Sequence, residues 1–142
     1  MMNEQVNAES EEVNQEDQMY RENILDYYKH PRNKEVLPNA TLLHRELNPL
    51  CGDDVTVYLQ IENNKIIRAT FMGTGCAISQ ASISLLTEKI IEKKLEEIKN
   101  MKKEEILEML GIFISPGRMK CALLSLKTFI KAIEKHEQSP KN

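Results

Sequence analysis

Between Asp54 and Met72 the chain carries a pattern that calls for a β-hairpin. Val55, Val57, Leu59 and Ile61 alternate with Thr56, Tyr58 and Gln60, a period of two that sends alternate side chains to opposite faces of a strand. Asn63-Asn64 supplies a turn tolerant of positive φ, and Lys65–Met72 returns as the partner strand. Thr41–Leu47 is a third candidate strand. After Gly73-Thr74-Gly75 the period becomes helical. A helix is predicted from Ala77 to about Ile91, with Ile78, Ser82, Leu85 and Lys89 on one stripe. Short helices follow near Lys94–Lys99 and Lys103–Leu110, then a loop over Gly111–Gly117. The last helix runs from about Met119 to His136, with Leu123, Leu126, Ile130 and Ile133 at helical spacing. Upstream of the strands, Tyr20–Lys29 reads as a short helix that Pro31 ends. Strands grouped together and followed by helices predict an α+β fold: a small antiparallel three-stranded sheet with helices packed on one face.

The 142 residues suffice for one domain. Residues 1–18 read as a disordered acidic tail, 19–137 as the domain, and 138–142 as a frayed C-terminus. The tail holds six acids (Glu4, Glu9, Glu11, Glu12, Glu16, Asp17) and no base, too little apolar surface to offset the entropy of ordering it. Its expected role is a passive, solubilising extension. The chain has 19 basic and 22 acidic residues, a near balance that gives no electrostatic footprint for nucleic acid. No apolar run approaches the ~20 residues that span a bilayer, and no leader with a cleavage site opens the sequence. The expectation is a cytoplasmic protein that binds neither nucleic acid nor membrane.

Three cysteines, Cys51, Cys76 and Cys121, are widely spaced and odd in number, which argues for reduced thiols rather than a disulfide framework. Count alone favours small buried hydrophobes, but position points elsewhere, because each lies where one element meets another. Cys51 is in the turn of Asn48-Pro49-Leu50-Cys51-Gly52-Asp53-Asp54. Cys76 follows Gly75 and opens a helix, where backbone amides favour a thiolate. Cys121 lies in the first turn of the last helix beside Arg118 and Lys120, cations that push the same way. If the three loops converge, three thiolates meet in one site, and Asp53 could supply a carboxylate as fourth ligand. Soft sulfur donors with one oxygen or nitrogen suit Zn²⁺ or iron in a sulfide cluster. With no CxxC knuckle to close a structural zinc site, the spacing suggests an exchangeable one.

Other constellations are weaker. His44 is a fallback ligand, His30 belongs to the turn before Pro31, and His136 favours the dipole of the last helix. Gly73-Thr74-Gly75 lacks the Gly-Lys-Ser/Thr of a phosphate loop. Ser79, Ser82 and Ser84 have no nearby histidine base, so close helix packing or contact with a partner is their expected use. The charged run Lys89–Lys103 reads as a solvated face.

Taken together, Tyr27-Tyr28-Lys29-His30-Pro31-Arg32-Asn33, the Cys51 turn, the segment Gly73–Ser84 and the segment Gly117–Phe129 resemble the IscU/SufU/NifU N-terminal family of iron–sulfur cluster assembly proteins. The resemblance covers roughly Tyr20–Ile133. It implies one exposed site made of Cys51, Asp53, Cys76 and Cys121, and a carrier rather than a catalyst. It also implies a cysteine desulfurase (IscS-, SufS- or NifS-type) as sulfur donor, apo iron–sulfur proteins as recipients, and a [2Fe–2S] cluster or iron, alternatively Zn²⁺, as the bound species. Cys121 is the implied persulfide acceptor in a scaffold, and Cys51 in a zinc-dependent sulfurtransferase. IscU-type members carry a histidine immediately before the third cysteine, where this chain has Lys120. Arg118-Met119-Lys120-Cys121 matches the Arg-x-Lys-Cys pattern of SufU-type members, but the spacing from Cys76 to Cys121 resembles that of IscU.

Overall fold

The computed structural model describes residues 18–138; the acidic segment 1–17 and residues 139–142 lie outside it. Helix α1 covers residues 18–29 and buries Ile24. Three strands follow: β1 (Leu42–Asn48), β2 (Asp53–Glu62) and β3 (Lys65–Thr74). They pair antiparallel in the order β1-β2-β3. Then come α2 (Ala77–Lys89), α3 (Leu95–Lys99), α4 (Lys103–Leu110), a 3₁₀ turn over Pro116–Arg118, and α5 (Met119–Gln138). The α+β architecture is as the sequence predicts, with its elements within a few residues of their expected bounds.

Register explains the sheet's two faces. Val57 pairs with Phe71 and Leu59 with Ala69, and all four are buried on the face that meets the helices. Asn63 and Asn64 both have positive φ (52° and 60°), the backbone a two-residue hairpin turn needs to match strand twist. On β1 the alternation turns Leu42, His44, Glu46 and Asn48 inward and leaves Leu43, Arg45 and Leu47 exposed. α5 packs on β1 and β2, and α2 on β3 and α5.

Packing bears out one sequence reading, the close-packed serines of α2, and departs from two others. α2 is buried nearly all round, with Ser79, Ser82, Ser84 and Thr87 as enclosed as Ile83 and Leu86. Ser82 Oγ donates to the Ala122 carbonyl (2.9 Å) and lies 2.7 Å from Ser125 Oγ, so small polar residues bring α2 and α5 close. On α5 the expected Leu126 and Ile133 are buried, in a stripe with Ala122, Leu124, Ser125, Phe129 and Ala132, while Leu123 and Ile130 are only partly buried. The expected Leu123–Ile133 stripe is thus rotated, because serine and alanine at the α2 contact permit closer approach than leucine would. The Lys89–Lys103 run also hides core residues: Leu95, Ile98 and Met101 are buried among exposed lysines.

Candidate metal centre

The three cysteines are placed by three different devices. Cys51 lies in the turn between β1 and β2, exposed, with its amide donating to the Asn48 carbonyl (3.2 Å). Cys76 is the N-cap of α2: its Sγ accepts from the Ser79 amide (3.5 Å), satisfying one of the donors a helix start leaves unpaired. Cys121 is in the first turn of α5 and is buried.

Strand alternation selects between the two adjacent aspartates. Asp54 points to the outer face, where Arg45 Nε and Nη2 donate to its two carboxylate oxygens at 2.8 and 2.7 Å; that guanidinium contact keeps Asp54 below the usual carboxylate range. Asp53 points inward and is 2% exposed. Its Oδ1 accepts from the Cys76 amide and from Ser79 Oγ, each at 3.0 Å. Gly75 makes that approach possible, because a Cβ there would collide with Asp53 Oδ1 and Ser79 Oγ.

Ligand atoms of Cys51, Asp53 and Cys121 all lie within 4.8 Å of one another, and the Cys51 and Cys121 sulfurs are 2.7 Å apart with both cysteines free. Cys76 Sγ is not in this group; it stands at the helix cap beside it. Asp53 Oδ2 is buried and has no hydrogen-bond partner. A buried carboxylate oxygen without a partner is costly, and a carboxylate within reach of two thiols fits a metal ligand. Two sulfurs and a carboxylate suit a borderline or soft cation such as zinc or iron.

Cys121 departs from the sequence expectation. Arg118 and Lys120 are exposed, whereas the Cys121 thiol is desolvated. Burial first, then the contact with Cys51 and the nearby Cys76 and Asp53 charges, pushes Cys121 well above the ordinary thiol value. The neighbouring cations do not offset this, because desolvation acts on the thiol itself and their charges are solvated. His44 is not in the group of Cys51, Asp53 and Cys121; its Nε2 is 2.8 Å from Glu46 Oε1. Two residues escaped the sequence reading. Asn48, buried, brings Nδ2 to 4.0 Å from Cys121 Sγ, and Ser79 holds both Asp53 and Cys76. Only the Cys-x-x-Ser spacing of a capped helix start signals Ser79.

The sequence model of the NifU-like N-terminal domain matches residues 19–142. The protein named iron–sulfur cluster assembly scaffold protein IscU of Thermotoga maritima is 36% identical over 133 residues, spanning 82% of this chain and 94% of that one. The zinc-dependent sulfurtransferase SufU of Bacillus subtilis is 34% identical over 138 residues, spanning 85% and 93%. A crystal structure described as a cluster assembly scaffold for the SUF system, from Fervidobacterium islandicum AW-1, aligns with TM-score 0.71 at 31% identity, covering 79% of this chain and 94% of that chain. Fold, the placement of the cysteines and a match over nearly the whole chain agree: this chain belongs to the NifU-like N-terminal domain family.

Proposed function

We propose that this protein is an iron–sulfur cluster assembly scaffold. It accepts sulfur from a cysteine desulfurase, collects iron, and hands the nascent [2Fe–2S] cluster to apo-proteins of the cytoplasm. The observation that carries the reading is the convergence of the buried Asp53 carboxylate with the Cys51 and Cys121 sulfurs, ligand atoms all within 4.8 Å of one another. The IscU relative supports the same activity.

The residues divide the work. Cys51, the exposed thiol on a turn, is the first acceptor in place of Cys121, the one the resemblance implies for a scaffold, because a protein-bound persulfide reaches an exposed thiol before a buried one. The Cys51 thiolate attacks the outer sulfur of the donor persulfide. A new S–S bond forms on Cys51, the donor's own S–S bond breaks, and the donor cysteine leaves as a thiolate that takes up the proton Cys51 gave up. Cys121 and Asp53 hold the incoming iron, and Cys76 completes the set by turning its sulfur from the Ser79 amide toward the site. A bound cation supplies the charge that keeps these thiols deprotonated. Asp53, the one oxygen donor, keeps the cargo exchangeable, since hard oxygen holds iron in a cluster less firmly than a fourth thiolate.

A second reading is favoured by Arg118-Met119-Lys120-Cys121 and by the SufU relative: a zinc-dependent sulfurtransferase using the same residues. Native mass spectrometry of anaerobic protein separates the two, before and after incubation with a desulfurase, cysteine and ferrous iron. A mass gain of [2Fe–2S] with visible cluster absorption supports the scaffold. One zinc that iron does not displace, with faster desulfurase turnover, supports the sulfurtransferase. Neither metal nor persulfide sinks both.

A further inference from the structure

β1 is an edge of the sheet, and the hydrogen bonding fixes which of its residues face outward. The Phe71 amide donates to the Asn33 carbonyl (3.0 Å), away from β2. Phe71 and its partner Val57 are therefore a non-hydrogen-bonded pair, and the Val57 backbone points at β1. Two residues on, the Leu59 carbonyl accordingly accepts from the Thr41 amide (2.7 Å). His44 stands opposite Val57, so His44, with Leu42 and Glu46, turns its backbone groups to β2. Leu43, Arg45 and Leu47 alternate with them and present N–H and C=O to the open side. Among the described residues no segment pairs with this edge, whereas β3 is met by bridges at Lys34 and Lys94. An open row of this kind is a template for another strand, and edges that avoid pairing carry proline, lysine or a bulge. β1 has none of these.

The surroundings of the edge select its occupant. On the outer face Leu43 is 54% and Leu47 53% exposed, and Arg45 between them is held by Asp54. On the inner face α5 brings Lys127 and Lys131 to Glu46 at 4.0 and 3.4 Å. The edge continues into a groove of about 410 Å³ between the β1–β2 turn and the start of α5. Leu47, Pro49, Leu50 and Leu123 border the groove with Lys120 and Lys127, and no acidic side chain lines it. Three lysines thus stand over the edge and its groove, and Glu46 is the one carboxylate that β1 turns toward them. A strand laid here sets alternate side chains beside Leu43 and Leu47 and the others beneath the lysines. The matching sequence alternates apolar and acidic residues. A second copy of β1 fits worse, because symmetric pairing turns the two lysine rows of α5 toward each other, and like charges brought together are costly.

We infer that β1 is a docking edge for an extended segment of a partner protein, apolar and acidic in alternation, which adds as a fourth, antiparallel strand. Its end lies in the groove beside the turn that carries Cys51. Antiparallel pairing with Leu43, Arg45 and Leu47 supplies about six backbone hydrogen bonds, and the side-chain alternation supplies the specificity. The inference goes beyond the proposed function and does not depend on which cargo the site carries.

Amide NMR of the ¹⁵N-labelled full chain at pH 7 tests it, with a capped synthetic peptide alternating leucine and glutamate, about as long as β1, as the probe. At saturation, hydrogen exchange of the Leu43, Arg45 and Leu47 amides should slow at least about tenfold, while Leu42, His44 and Glu46, already bonded to β2, stay as they were. The same peptide with lysine for glutamate should bind at least about tenfold more weakly. Leu43→Pro removes one outward N–H, a change that an edge strand tolerates, and should weaken binding by a similar factor. Should that variant fail to fold, the alternating exchange pattern in the wild-type chain still decides. Binding weaker than a Kd of about 1 mM, or protection that does not fall on the outward three, would overturn the inference. Protection of those three amides that rises with protein concentration and needs no peptide would assign the edge to a second copy, and would overturn it too.

Discussion

Gly75 and Asp53 compete for one small volume, so the absence of a side chain at Gly75 is what lets the carboxylate reach the Cys76 amide. Gly75→Ala should therefore lower metal affinity as well as stability, by about 1–3 kcal/mol on unfolding as a buried carboxylate loses its partners; metal content and denaturant titration read the two effects. Asp53→Ala removes the hard donor, and the expected result is a bound cluster that persists longer against a chelator; faster loss would contradict the role given to Asp53. At this scale the sequence was legible wherever a residue lay at a boundary: all three cysteines stand at element ends, as their Gly and Pro neighbours imply. The state of Cys121 was not legible, since the charges beside it in sequence are not those that surround it in space. The choice between Asp53 and Asp54 becomes legible once strand phase is known, because alternation sends one to the thiols and the other to Arg45.

Element ends and element contacts carry the next predictions. Cys76 caps α2, and serine is a good N-cap, so Cys76→Ser should keep the helix and lose the metal, whereas Cys76→Ala should also lose about 1 kcal/mol of stability. Circular dichroism melts beside metal analysis separate the pair, and a C76S protein that simply unfolds would contradict the assignment. Between β1 and α5, burial raises the Glu46 pKa, but His44 and Lys131 outweigh it and hold the carboxyl below its ordinary value. A carboxyl depressed on folding stabilises the fold above its unfolded pKa, and that contribution is lost as pH falls through the folded value. The wild-type melting temperature should accordingly drop toward that of Glu46→Gln below about pH 4, with the two well separated at pH 7. The hairpin was legible because its period of two is unbroken from Val55 to Leu59 and its turn is Asn-Asn. The face of α5 was half legible, through Leu126 and Ile133, because hydrophobicity ranks leucine above serine, whereas the α2–α5 contact is built on Ser82 and Ser125.

For the whole molecule, the core is continuous from the sheet through α2 to α5, and among the described residues no helix is long and apolar enough to cross a membrane. Removing residues 1–17 should leave metal stoichiometry unchanged, since every candidate ligand lies in 51–121; a drop in bound metal would give the segment a direct part in the site. The fold class was legible because strands precede helices in one block, but the groove was not, because Leu50 read as part of a turn and Leu123 as part of a helix stripe until the two are seen side by side. The separation of the ligands along the chain also sets an order of events during synthesis. Cys51 leaves the ribosome 70 residues before Cys121, so an emerging chain has no complete site until α5 has been made and has docked against β1. A metal ion therefore meets its full ligand set only once the fold has brought the three cysteines together. Until then its thiols are three separate nucleophiles open to whatever oxidant the compartment contains.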